Sequence, residues 1–124
     1  MSLTPEGHMG APVAWFEITG KDPKGLADFY KELFGWSIGD SGDPSYQLVD
    51  TGAGPDGVGG GIGSAQDSTG GVTVYMKVDD LHKYLDKAGI LGGKTLVPPT
   101  PLPGDFGTFA MFADPEGHVI GLWS

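Results

Sequence analysis

The chain writes one ending twice. Residues 55–64 read PDGVGGGIGS and residues 115–124 read PEGHVIGLWS, and Pro, an acid, Gly and later Gly and Ser fall at matching places. A duplication at that spacing divides 124 residues into two halves. Either half alone is too small to bury an adequate core. The halves are therefore expected to fold together, with any site where they meet.

Each half reads as the same run of elements. In KDPKGLADFYKELFGW, Asp22 is placed to cap a helix, Pro23 suits its first position and Gly35 supplies a left-handed stop. Leu26, Phe29, Tyr30 and Leu33 recur at helical spacing. In VDDLHKYLDKAGI, Asp80 caps, Leu81, Tyr84, Leu85 and Ala88 form the stripe and Gly89 ends it. VAWFEIT (13–19) and VTVYMKV (72–78) have the β-branched and aromatic content of strands leading into those helices. YQLVDT and GVGGGIG complete the first half, and KTLVPP, TFAMFA and HVIGLW the second. TGAGPDG and ADPEG have turn chemistry, GSAQDSTGG (63–71) reads as a flexible joint, and the prolines of 96–109 predict a stiff loop. The fold class predicted is α+β: two pseudo-symmetric βαβββ modules, about 11–63 and about 71–124, in a single domain. Residues 1–10 are set apart as a tail, read in part as an expression remnant because Met9 offers a second start.

Composition narrows the partners. Sixteen acids against seven bases give a net charge of −9, which repels phosphate backbones and anionic lipid, so neither nucleic acid nor membrane is expected. No apolar run approaches the ~18 residues of a membrane span, and the start lacks the basic and apolar regions of a secretion signal. The expected location is the cytoplasm. The absence of cysteine removes disulfides, thiolate metal sites and a cysteine nucleophile.

DPKGLADFYKELFGW, the VDDL opening the second helix and FADPEGHVIGLW resemble the glyoxalase, bleomycin-resistance and extradiol dioxygenase group, the vicinal oxygen chelate superfamily. The likeness runs from about Pro12 to the end and is nearest to its small glyoxalase-like branch of unassigned activity. It implies paired βαβββ modules with curled mixed sheets around a shared cavity and helices outside. In metal-dependent members, one side chain near the start of each module's first strand and one in its last strand supply four ligands. The matching positions here are Trp15, Gly61, Thr73 and Gly121. Trp has no lone pair in its ring plane, Gly has no side chain, and a neutral Thr hydroxyl is a poor ligand for zinc, nickel or iron. No metal and no other cofactor is therefore expected, with a divalent metal at other residues as the alternative. His8, His82 and His118 share no obvious face.

Strand alternation selects the candidate site. If Trp15 faces the cavity, so do Glu17 and Thr19, while Ala14, Phe16 and Ile18 face the helix layer. The second module then contributes Thr73, Tyr75 and Lys77, and its last strand Val119, Gly121 and Trp123. The predicted ligand-binding residues are Trp15, Glu17, Gly61, Thr73, Tyr75, Gly121 and Trp123, with open space over the two glycines. An ionised Glu17 between Phe16 and Ile18 needs a partner, and Lys77 or a tyrosine hydroxyl can supply one. Glu17 is also the sole candidate general base. GVGGGIG lacks both the spacing and the following helix of a phosphate loop. It is read as a glycine strand that a ligand or another backbone approaches closely.

Three functions fit these residues. The first is a metal-free protein that binds a small organic molecule, uncharged or cationic, between paired modules, as the resembling antibiotic-sequestering proteins do. The second is a glyoxalase-type lyase or isomerase, or a dioxygenase-like enzyme, with unusual ligands or Glu17 as base. The third is an interaction module whose aromatic residues form a subunit contact. A homodimer is expected, because short curled sheets leave strand edges and aromatic faces to cover.

Overall fold

The structure, a computed structural model, describes residues 10–55, 57–65 and 70–124. His8, Asp56 and residues 66–69 of the expected joint lie outside the described residues. Backbone contacts group the chain into two compact units, Ala14–Tyr75 and Met76–Ser124 with the segment ending at Val13. Among the described residues there are eight strands and two helices, the α+β class.

The first unit contains β1 (Val13–Gly20, from Ala14 on), α1 (Pro23–Phe34), β2 (Ser37–Asp40), β3 (Tyr46–Asp50), β4 (Gly59–Ser64) and most of β5 (Gly71–Lys77). Its strand order is β2-β3-β4-β1-β5. β1 and β4 run parallel, while β3 is antiparallel to both β2 and β4. The short β2 has no separate counterpart in the sequence reading. Helix α1 starts where Asp22 Oδ1 accepts the Gly25 N–H at 3.0 Å, with Pro23 in the first turn. It ends where Gly35, at φ 72°, returns its N–H to the Lys31 carbonyl at 2.8 Å. Gly35 is one place where the backbone requires glycine's left-handed freedom. The inner face of α1 puts Leu26, Ala27 and Tyr30 against Phe16, Ile18, Val49 and Ile62. Phe16 and Ile18 thus face the helix, as alternation along β1 predicts.

The second unit contains α2 (Leu81–Ile90), β6 (Lys94–Pro101), β7 (Thr108–Ala113) and β8 (Val119–Trp123). β7 lies antiparallel between β6 and β8, and the Val78 N–H donates to the Trp123 carbonyl at 2.9 Å. Leu81 and Leu85 of α2 pack with Val78, Ala110 and Leu122. Asp80 caps α2 through the Lys83 N–H. The helix does not stop at Gly89: it continues to Ile90, and the left-handed residue is Gly92 at φ 102°. Gly89 tolerates the helical conformation, and the closing bond runs from the Gly93 N–H to the Ala88 carbonyl at 2.7 Å. The expected loop at 96–109 is also corrected, because Pro98, Pro99 and Pro101 lie in β6. That strand ends its unit's sheet order, and its register shifts between Thr95 and Val97 and again before Thr100. Proline is tolerated at such edges and irregularities, where no ladder N–H is needed.

β4 shows why its sequence is almost all glycine. A Cβ on Gly60 would strike the Phe16 ring on the helix side. On the opposite face, one on Gly59 would come within 3.3 Å of the Trp15 ring, and ones on Gly61 and Gly63 would strike the Tyr46 ring. The close approach expected from a ligand or backbone is made here by the rings of neighbouring strands.

A Gly60→Ala variant is expected to lose about 1–3 kcal/mol of stability, the range for overpacking, in urea unfolding. Gly39→Ala, whose Cβ meets nothing within 4 Å, should stay within about 0.5 kcal/mol of the parent.

Candidate functional site

The face of the first unit opposite α1 gathers one carboxylate and three aromatic side chains. β1 projects Trp15 and Glu17 to that side, two residues apart on one strand. Register then places Gly59 beside Trp15 and Gly61 beside Glu17, with Leu48 of β3 next to Gly61. Tyr46 stands opposite Gly63 and lays its ring back across Gly63 and Gly61, which brings its hydroxyl to Glu17.

The hydroxyl of Tyr46 accepts the Trp15 indole N–H at 3.0 Å and donates to Glu17 Oε2 at 3.0 Å. The Tyr75 hydroxyl donates to the other carboxylate oxygen, Oε1, at 3.3 Å. Trp15, Tyr46 and Glu17 are half-buried and Tyr75 is buried. Among the described residues no cation pairs with Glu17, and both hydrogen bonds to its side chain come from neutral phenols. Each oxygen retains acceptor capacity beyond its one phenol. Burial, and next the negative charge of Glu17, push both phenol pKa values far above their ordinary 10.0. Both hydroxyls therefore stay protonated, as donors, at any physiological pH.

The predicted site residues are thus partly assembled. Trp15, Glu17, Tyr75 and Gly61 come together, and the space over Gly61 is filled by Tyr46. Thr73 is half-buried on β5, two residues from Tyr75 and so on its side of the strand. Gly121 and Trp123 belong to the other unit. There Gly121 is buried opposite Met111 of β7, and the Trp123 indole donates to the Phe106 carbonyl at 2.6 Å. Lys77, one of the two kinds of partner foreseen for Glu17, lies with its ammonium 4.3 Å from the centre of the Trp123 ring. The residue that sequence reasoning missed is Tyr46. Its signal was the glycine run itself, because three alternate glycines on one face leave room that a neighbouring ring fills.

Two hollows lie elsewhere. One, about 500 Å³, is bordered by Lys31, Glu32, Gly35, Trp36, Ser37 and Ile38. The other, about 420 Å³, is an apolar seam beside α2 lined by Met76, Val78, Tyr84, Leu91, Phe112 and Ile120 among others. Neither includes a residue of the Glu17 group. The second offers little polar surface to orient a ligand.

The four positions to which the resemblance pointed offer little to a metal. Of these, Trp15 commits its N–H to Tyr46 and Gly61 is covered by a ring. Thr73 and Gly121 offer at most one neutral hydroxyl. Among the described residues no three His, Cys, Asp or Glu side chains come together. His118 instead holds Asp114 at 3.0 Å within the DPEG turn. Asp114 also accepts the backbone N–H groups of Glu116 and His118, and these bonds, those from His118 foremost, lower its pKa.

Comparison with known proteins places a chain of this fold. It belongs to the Glyoxalase/Bleomycin resistance protein/Dioxygenase superfamily, whose sequence pattern matches residues 13–122. It is 31% identical over 133 aligned positions to the anthracycline biosynthesis protein DnrV of Streptomyces peucetius, covering 92% of this chain and 46% of that protein. It is 30% identical, over the same shares, to the anthracycline biosynthesis protein DauV of Streptomyces sp. strain C5. The chain thus spans about half the length of these curated relatives. In structure it resembles the Mn(II)-bound glyoxalase of Novosphingobium aromaticivorans with a TM-score of 0.67, at 14% identity and over 89% of this chain and 36% of that one. That likeness is one of fold. Among the described residues no helix is long and apolar enough to cross a membrane.

Two measurements check the site's chemistry. Tyr46→Phe removes the hydroxyl shared by Trp15 and Glu17, and should cost about 1–3 kcal/mol for the two hydrogen bonds it deletes. Tyr75→Phe, at a longer bond, should cost less. Because both folded-state phenol pKa values are raised, their contribution to stability is complete below about pH 10 and is lost as pH rises toward the folded-state values. Urea midpoints between pH 8 and 11 should fall at the alkaline end, with a shallower fall in either Tyr→Phe variant.

Proposed function

We propose that the chain is a small-molecule-binding module of this superfamily that works without a resident metal. Its binding face is the side of the first unit's sheet carrying Trp15, Glu17, Tyr46 and Tyr75. The ligand is a flat organic molecule with a protonated amine or another strong hydrogen-bond donor. The observation that carries this reading is a half-buried carboxylate fixed by two neutral phenols and paired with no cation among the described residues. The phenols orient the carboxylate without neutralising it and leave each oxygen further acceptor capacity, so a cationic group gains a charge-assisted bond there. The Trp15 and Tyr46 rings beside it offer the apolar and cation-attracting surface that such ligands use. The net charge of −9 favours the same sign of ligand. The relatives' names, which place them in anthracycline biosynthesis, support an aromatic ligand class. They are about twice as long as this chain, so their activity belongs to this reading only as support.

Titration of tryptophan fluorescence with a cationic amino-acridine and with an anthracene carboxylate of similar size tests the charge preference. The cation is expected to bind at least about tenfold more tightly, a difference of ~1.4 kcal/mol. Glu17→Gln should remove that preference while sparing the fold, because the amide oxygen accepts from one phenol and the amide N–H donates to the oxygen of the other. Equal affinity for both probes, or a preference that survives in Glu17→Gln, would overturn the reading. Metal analysis of protein purified without chelator is expected to find well below one equivalent of zinc, nickel, manganese or iron. A tightly held equivalent would restore the metal-dependent alternative.

A further inference from the structure

The two helices begin with the same capping bond, which sets them in register. Asp22 accepts the Gly25 N–H and Asp80 the Lys83 N–H, each three residues on. Counted from its cap, the eighth residue is Tyr30 in α1 and Ala88 in α2. The left-handed glycines that follow, Gly35 and Gly92, are succeeded by Trp36 in the first unit and Gly93 in the second. In the first unit these two positions plug the gap between the helix end and the sheet. Tyr30 and Trp36 stack with ring centres 5.4 Å apart, and Trp36 lies 5.6 Å from Phe16 of β1. In the second unit Ala88 and Gly93 border the apolar seam of about 420 Å³ instead. The sheet side of that seam is Met76, Phe112 and Ile120, all half-buried. Gly93 has no room for a ring of its own, since a Cβ there would come within 2.8 Å of the Ala113 carbonyl oxygen.

We propose that the seam beside α2 binds a neutral, flat aromatic molecule of fused bicyclic size, held where the first unit places its own Tyr30 and Trp36 rings. The volume lies within the roughly 300–1,000 Å³ of small-molecule pockets. Shape selects a flat ring, because the matching gap in the first unit is closed by rings packed face against face. Charge selects a neutral one. Two charged residues border the seam, Lys87 and Asp114. Asp114 is answered within its own turn by the His118 ring and by the backbone N–H groups of Glu116 and His118. Lys87 stands in the last turn of α2, where a cation complements the carbonyl end of the helix. Neither residue leaves a charge for a ligand to match, and an ionised ligand would give up its hydration in an apolar seam without gaining a partner. The seam shares no residue with the Glu17 face, and the proposal does not rest on the function assigned there.

Titration of the whole protein with naphthalene and with 2-naphthoate, followed by side-chain methyl NMR, tests both shape and charge. Naphthalene is expected to bind saturably and to shift the methyl signals of Met76, Leu91 and Ile120. The charged 2-naphthoate should bind at least about tenfold more weakly. Ala88→Tyr installs the side chain that α1 carries at the same distance from its cap. It should weaken naphthalene binding at least about tenfold and raise the melting temperature, as cavity-filling substitutions do. Should Ala88→Tyr fail to fold, the methyl shifts in the unmodified chain decide. No binding of naphthalene, binding that leaves those methyls unmoved, equal affinity for 2-naphthoate, or a folded Ala88→Tyr with unchanged affinity would overturn the proposal. So would an affinity that falls as protein concentration rises, or contacts of those methyls with Leu3 in the ligand-free protein, which would make a second copy or the chain's own start the occupant.

Discussion

Tyr46 lies flat on a strand that has no side chains to hold it away, and the site's geometry depends on that contact. With Gly61 and Gly63 beneath it, the ring descends to the backbone and its hydroxyl arrives at Glu17 and Trp15 together. Any residue with a Cβ at Gly61 would push the ring off the sheet and separate three polar groups at once. The glycines cost conformational entropy, about 0.5–1 kcal/mol each relative to alanine in a strand. The rings that cover them return apolar burial and cross-strand contact.

The choice of phenols as partners for Glu17 has a consequence that a lysine would not have. A lysine would cancel the charge and leave a closed ion pair that a ligand must break. Two hydroxyls orient the carboxylate through one hydrogen bond to each of its oxygens, and neither brings a positive charge. The indole N–H donating to Tyr46 adds to this, since a hydroxyl that accepts a hydrogen bond donates more strongly. Lys77, which could have been the counter-ion, sits over Trp123 in its own unit instead.

Much of the fold was legible because its signals are local. Asp22, Pro23 and Gly35 mark α1 by backbone chemistry alone, and alternation along VAWFEIT separates Phe16 and Ile18 from Trp15 and Glu17. What escaped depends on register or on context. Gly89 looks like a helix stop, but the left-handed position falls three residues on at Gly92, and only the hydrogen bonds around Ala88 distinguish them. The prolines of β6 look incompatible with a strand until that strand is known to end its sheet with an irregular register. Tyr46 was invisible as a site residue because its importance comes from pairing opposite Gly63, which no pattern within YQLVDT encodes. The glycines at 61 and 121 were recognised as absent ligands, but an absent side chain does not say whether the space is open or filled.

The repeated ending shows how duplicated strands come to differ. Positions 59, 61 and 63 correspond to 119, 121 and 123 sixty residues later, and they read Gly, Gly, Gly in the first copy and Val, Gly, Trp in the second. In the first copy the strand is bare and its rings come from Trp15 and Tyr46 on neighbouring strands. In the second the strand brings its own ring, and Trp123 is anchored by its N–H to the Phe106 carbonyl. Gly107, at φ 91°, would crowd that indole nitrogen at 3.1 Å if it carried a Cβ. Each half therefore keeps an aromatic group fixed by a hydrogen bond through its N–H or O–H, but the chain segment supplying the ring has changed. The first copy sets its rings around a carboxylate, so the Glu17 cluster belongs to one half, although the scaffold is repeated in both.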